Sequence, residues 1–114
     1  MRKVKIEKNI RDKWIKSLRS GRYKQTEGRL FDGGSYCCLG VLARNLGFKK
    51  EQIEGIGDFS NESFYFKNKE KIPKFIVDNL INTEFSNTLI KMNDDLYYDF
   101  EEIADYIEKN SIGY

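Results

Sequence analysis

The chain contains no histidine in 114 residues, a single proline and only two cysteines. Without histidine, the commonest general base, the usual activator of a catalytic thiol and the commonest zinc ligand are all missing. Cys37 and Cys38 are adjacent, so they lack C-x-x-C spacing, and no other sulfur or imidazole is present to complete a tetrahedral site. No metal, no cofactor and no catalytic residue is expected, and the protein reads as a non-enzyme. The two common glycine-loop phosphate motifs are also absent. Asn93-Asp94-Asp95 does not meet the calcium-loop pattern and reads as a turn.

No apolar run approaches the roughly eighteen residues of a membrane span, and no secretory core follows the basic start. The expectation is a cytoplasmic protein with no membrane partner, whose two thiols stay reduced. One proline, no repeat and no low-complexity stretch leave no sign of a linker, so residues 1–114 are read as one domain.

What is present is enough for a core. Eight Phe and seven Tyr, within 39% hydrophobic residues, exclude a disordered chain despite 33% charged residues. Net charge is only +2, but it is unevenly spread. From Arg2 to Lys24 ten Lys/Arg face two acids, whereas Asn93 to Glu108 carries seven acids and no base. Such poles lie against each other within a fold or dimer, face an anionic ligand, or are simply solvated helix faces. The acidic segment argues against a nucleic acid as partner.

Hydrophobic period places the elements. In "KNIRDKWIKSLRSG", Ile10, Trp14 and Leu18 with Ile15 define an amphipathic helix, with Asn9 as N-cap and Gly21 at its end. Asp32-Gly33-Gly34 predicts a β-hairpin turn. It leads into a helix from Cys38 to about Leu46, ended by Gly47. "KKEQIEGIG" holds at most one helical turn, and "DFSNESFYFKNK" reads as an edge strand or loop. "KIPKFIVDNLI" reads as a helix with Pro73 in its first turn, and Thr83–Met92 is ambiguous. "DFEEIADYIEKN" is the clearest helix, with Asp99 and Glu102 as a capping box. The fold class is α+β: three to four helices packed on a small antiparallel sheet or β-hairpin.

The segment "SGRYKQ", Ser20–Gln25, combines two cations, an aromatic and an amide beside a glycine. Arg22 suits bidentate phosphate binding, Lys24 adds a point charge, and Tyr23 offers a stacking face. The alternative is a basic hairpin edge that keeps the protein soluble. Tyr36 either adds a second stacking ring or packs over Trp14. Cys37 and Cys38 open a helix and are either small core residues or ligand-facing. The helix N-terminus at Cys38 offers free amides to an anion, whereas Asp99 disfavours one at the last helix.

Four stretches, "WIKSLRSGRYKQTEGRL", "YCCLGVLA", "MNDD" and "FEEIADYIE", together resemble the pattern of a widespread, uncharacterised family of small bacteriophage proteins. The likeness covers the N-terminal half and the last quarter. Members often carry a longer, more acidic loop before the proline helix, and Glu51–Lys71 here matches nothing in the pattern, so nothing is carried onto it. The resemblance implies a host-cytoplasmic setting and, by inference from that setting, a counter-defence factor that sequesters a nucleotide immune signal. The residues expected to hold such a phosphate-bearing ligand are Arg19, Arg22, Tyr23, Lys24, Gln25, Tyr36, Cys37, Cys38, Asn93 and Asp94. Arg19, Arg22 and Lys24 would take phosphates, and Asn93 and Asp94 would read ribose or a base edge. The pocket is expected at the Cys-Cys helix start, in a homo-oligomer. The alternatives are a protein-protein inhibitor of a host factor and, less favoured, a DNA-binding protein.

Overall fold

A helix needs partners for its first free amides, and a carboxylate supplies them at the start of this chain. The computed structural model describes residues 3–59, 62–68 and 83–114. After β1 (Val4–Ile6), the Glu7 carboxylate accepts from the amides of Asn9 and Ile10 and opens α1 (Lys8–Arg19). The N-cap is therefore Glu7 rather than Asn9, because the two-oxygen side chain folds back onto two amides at once. Trp14, Ile15 and Leu18 form the buried stripe, as their spacing predicts. Gly21, with φ of 77°, takes the left-handed step that ends the helix.

β2 (Phe31–Asp32) and β3 (Ser35–Tyr36) form the predicted hairpin. Gly33 and Gly34, both at positive φ, close it as a two-residue turn. The chain then enters α2 (Cys38–Asn45), whose first six residues are all buried. Those six residues have no solvated face, so their neighbours approach from every side. Trp14 Nε1 donates to the Cys38 carbonyl at 2.9 Å. The Leu30 backbone crosses so close to Gly40 that a Cβ there would lie 1.7 Å from the Leu30 carbonyl oxygen. That contact explains the glycine in the Tyr-Cys-Cys-Leu-Gly stretch.

α3 (Lys50–Ile53) is the single turn expected. α4 (Glu62–Asn68) corrects the edge-strand or loop reading of "DFSNESFYFKNK". The aromatic alternation there is not a burial pattern: Phe64 is buried while Phe66 is 83% exposed. Phe64 meets Phe48 and Phe59 edge-on, and Asn68 one turn later bonds to Gln52. Helical spacing thus serves one face.

The ambiguous stretch after residue 82 is helix α5 (Thr83–Asp94), burying Phe85, Leu89 and Met92. The helix expected over "KIPKFIVDNLI" lies outside the described residues. α6 (Phe100–Asn110) begins with the predicted Asp99–Glu102 capping box and buries Phe100, Ile103, Ala104 and Ile107.

β4 (Ser111–Gly113) pairs parallel with β1, Val4 opposite Ser111 and Ile6 opposite Gly113. The architecture is α+β, as expected, with six helices among the described residues and a parallel pair in addition to the hairpin. α1 lies along α6, where Arg19 pairs with Asp105 at 2.6 Å and Glu108 at 3.3 Å. The basic and acidic poles therefore meet in the fold. No helix among the described residues is long and apolar enough to cross a membrane.

Gly40→Ala drives a methyl into the Leu30 carbonyl, where neither backbone yields cheaply. It should cost about 3 kcal/mol, the upper end of overpacking in a core. Urea unfolding checks this, and a loss below about 1 kcal/mol would mean that the close approach is not needed.

Candidate functional site

The segment after α1 is pinned by its own backbone. Ser20 Oγ donates to the Ser17 carbonyl and accepts from the Arg22 amide. The Lys24 carbonyl accepts from Tyr36 N at 2.7 Å, and the Tyr36 carbonyl accepts from Thr26 N at 2.8 Å. Residues 24–26 therefore run beside β3, while Arg22 and Tyr23 are left facing the groove between α1 and α2.

Ten residues were expected to converge, and the structure divides them. Arg22 and Tyr23 share a cleft. Lys24 is exposed and does not line it. Arg19 is engaged by Asp105 and Glu108, so its guanidinium serves the α1–α6 contact instead of a phosphate.

Asn93 is 1% exposed and its amide is fully used. Its Oδ1 accepts from Gln25 Nε2 at 2.9 Å and from the Cys38 amide at 3.3 Å. Its Nδ2 donates to the Thr26 carbonyl and to Asp94 Oδ1, each at 2.8 Å. Gln25 Nε2 also donates to the Tyr98 carbonyl. This cluster braces the fold and leaves Asn93 no group with which to read a ribose.

Tyr36 is buried with its ring against Tyr23 (5.2 Å, edge-on) and Phe31 (4.8 Å), so it offers no open face for stacking. Cys37 and Cys38 are free, buried thiols. Burial pushes the Cys37 thiol up to about 12 and Cys38 well above its ordinary value. Neither is a thiolate, and the compact structural reading of the pair holds. With the Cys38 amide taken by Asn93, the start of α2 is not an anion site.

The cleft lies at the other end of α2. About 380 Å³ in volume, it is lined by Lys13, Lys16, Ser17 and Ser20 from α1, Arg22 and Tyr23 from the following loop, and Arg44 and Asn45 from α2. Four cations line it and no carboxylate does. None of the four forms an ion pair among the described residues. Arg44 Nη1 donates to the Phe48 carbonyl at 2.7 Å, which fixes its guanidinium. Asn45 Oδ1 accepts from Ser17 Oγ at 2.9 Å, tying the two helices together across the cleft. Helix carbonyl ends carry about half a negative charge each, which opposes an anion here. Four cations outweigh that by a wide margin.

A larger concavity of about 520 Å³ lies across Lys16 and Ser20. It is lined also by the acids Asp12 and Glu108 and by Arg19, which is already paired with Glu108, so it is not a free cluster of cations. No group of three or more acidic, cysteine or histidine residues suited to a metal occurs among the described residues.

Sequence reading missed Lys13, Lys16, Ser17, Arg44 and Asn45. The first three had a signal: with Ser20 they recur at i, i+3, i+4 and i+7, one face of α1. Arg44 and Asn45 reach the cleft only through the packing of α2 on α1.

The class defined by this fold and cleft is a small α+β protein with a basic, carboxylate-free groove. Its family follows from the sequence comparison. The family model described as "Domain of unknown function (DUF8296)" matches residues 6–111, and the chain belongs to that family. No curated protein and no solved structure matches it.

Asn93→Ala strands the Cys38 amide and the Thr26 carbonyl and should cost about 2–4 kcal/mol, whereas Arg22→Ala should stay within about 0.5 kcal/mol. Equal losses in chemical denaturation would refute this division between brace and cleft.

The thiols give a pH dependence. In the unfolded chain Cys37 ionises near its ordinary 9.0, but when folded only near 12. Above pH 9 the unfolded state thus holds fewer protons, and stability declines as pH rises toward 12. Cys37→Ala should flatten that decline, and a thiol reagent at pH 8 should label the native protein only at the rate of unfolding. Fast stoichiometric labelling would show that the pair is accessible.

Proposed function

We propose that this chain binds, without turning over, a small phosphate-bearing, nucleotide-like ligand in the cleft between α1 and α2. The observation that carries the reading is the convergence of Lys13, Lys16, Arg22 and Arg44 on one concavity with no lining carboxylate. Arg22 and Arg44 suit bidentate contact with phosphate oxygens, the lysines add point charges, and Ser17 and Ser20 add hydroxyls. Tyr23, half-buried at the edge, supplies the aromatic surface for a base. The volume suits a ligand of mononucleotide scale.

Two observations support binding over turnover. The two thiols are buried and protonated, and the lining set offers hydroxyl, ammonium, guanidinium and amide groups but no carboxylate or imidazole to act as a base. In the bacteriophage setting implied by the resemblance, the role that follows is sequestration of a nucleotide signal of host immunity.

The test is thermal unfolding with a panel of nucleotide second messengers, mononucleotides and inorganic tripolyphosphate. A ligand at a hundred times its Kd stabilises by about 2.7 kcal/mol. Arg22→Glu and Arg44→Glu should each abolish the shift, added salt should weaken it, and chromatography should recover the ligand unchanged. No shift from any member at millimolar concentration would defeat the proposal, and conversion of the ligand would replace binding with catalysis.

A further inference from the structure

The connection between α5 and α6 holds three consecutive large apolar side chains in water. Leu96 is 47%, Tyr97 75% and Tyr98 39% exposed. The loop is pinned in that state. The Asp95 and Leu96 amides donate to the Lys91 carbonyl, Tyr98 N donates to the Met92 carbonyl, and Gln25 holds the Tyr98 carbonyl at 2.8 Å. Tyr97 has φ of 57°, the left-handed region that non-glycine residues enter at a cost of roughly 1–2 kcal/mol. A tyrosine fixed this way presents a large contact surface and loses little entropy on docking.

Asp95, Asp99, Glu101 and Glu102 surround these side chains in sequence and are all exposed. No lysine or arginine lies between Asn93 and Glu108, and none of the four acids forms an ion pair among the described residues. The result is an aromatic loop with a negative rim. Its complement exists on the same molecule, in the unpaired cations of the α1–α2 cleft.

The two patches are neighbours. Gln25, which holds Tyr98, lies two residues from Tyr23 at the cleft edge, a chain span of at most about 7 Å. A positive cleft beside a negative aromatic loop is self-complementary under a twofold axis, since each copy offers the loop to its partner's cleft.

We infer that a second copy of this chain docks on this surface, the Leu96–Tyr98 loop of each copy over the basic cleft of the other. The contact goes beyond the ligand reading and competes with it for the same cations, so it is measured without added ligand. A basic partner of another kind would engage the loop and leave the cleft idle, whereas a second copy satisfies both.

The experiment is sedimentation velocity at low salt up to high-micromolar concentration, with circular dichroism confirming that each variant is folded. Wild type should dimerise, and added salt should weaken the dimer. Lys16→Glu with Arg22→Glu leaves the cleft with no net positive charge beside a negative loop, and Asp95→Lys with Glu101→Lys leaves the rim with no net negative charge beside a positive cleft. Each double variant alone should be monomeric, while their equimolar mixture should form a heterodimer. Tyr97→Ala should weaken association at least tenfold yet keep the ligand-induced thermal shift, which separates this inference from the ligand reading. A monomeric wild type, a dimer indifferent to both charge reversals, or a mixture that stays monomeric would each overturn it. Wild type that stays monomeric but binds an arginine-rich peptide through Tyr97 would assign the loop to a basic partner instead.

Discussion

One buried amide holds the parts of this protein in register. Asn93 sits near the end of α5 where the helical phase points it into the core, and it meets two separate backbone segments there. Its carbonyl oxygen takes the first amide of α2, and its amide nitrogen reaches the Thr26 carbonyl in the segment beside β3. Gln25 adds a side-chain bond to the same oxygen. A buried polar group this costly to strand is tolerated only when every valence is met, and Asn93 meets its own on four partners.

That arrangement explains the cysteine pair. An N-cap residue ordinarily uses its own side chain to satisfy a helix's first amides, and Cys37 makes no such bond. Asn93 does the work from another helix, which frees positions 37 and 38 for compact apolar groups. Cys38 Sγ rests 3.8 Å from the Leu89 carbonyl one turn before Asn93, and Trp14 donates to the Cys38 carbonyl. Gly40 then lets the Leu30 backbone close over the helix. The Tyr-Cys-Cys-Leu-Gly stretch is thus a packing solution for a helix that begins with no solvent face.

What was legible beforehand depended on how locally each feature is encoded. α1 and α6 are amphipathic with caps or end signals in their own sequence, and the Asp32-Gly33-Gly34 hairpin carries its turn chemistry on its face. α4 misled because Phe64 and Phe66 look equivalent as letters, and only the aromatic neighbours of Phe64 distinguish them. The β1–β4 pair joins three-residue strands more than a hundred positions apart, too short for any period to show. At the site, Arg22 and Tyr23 were found because the chemistry-bearing residues are contiguous. Gln25 and Asn93 were also picked out, but as ligand contacts. A residue type that reads a base edge is equally suited to reading a backbone, and sequence does not distinguish the two. Arg44 was invisible because α2 delivers it from its far end.

If the two poles existed to stabilise the fold, the strongest cations and acids would pair, yet ion pairing between them is confined to Arg19 with Asp105 and Glu108 among the described residues. Those pairs are partly or largely exposed, a setting in which ion pairs contribute little. Lys13, Lys16, Arg22 and Arg44 remain together without carboxylates, and Asp95, Asp99, Glu101 and Glu102 remain together without bases. Like charges gathered in this way repel one another and add nothing to the core. The field that such clusters project is of the kind that draws oppositely charged groups and sets their orientation. A fold secured by buried amides and close-packed helices leaves these charges unengaged, and the proposed binding rests on that grouping.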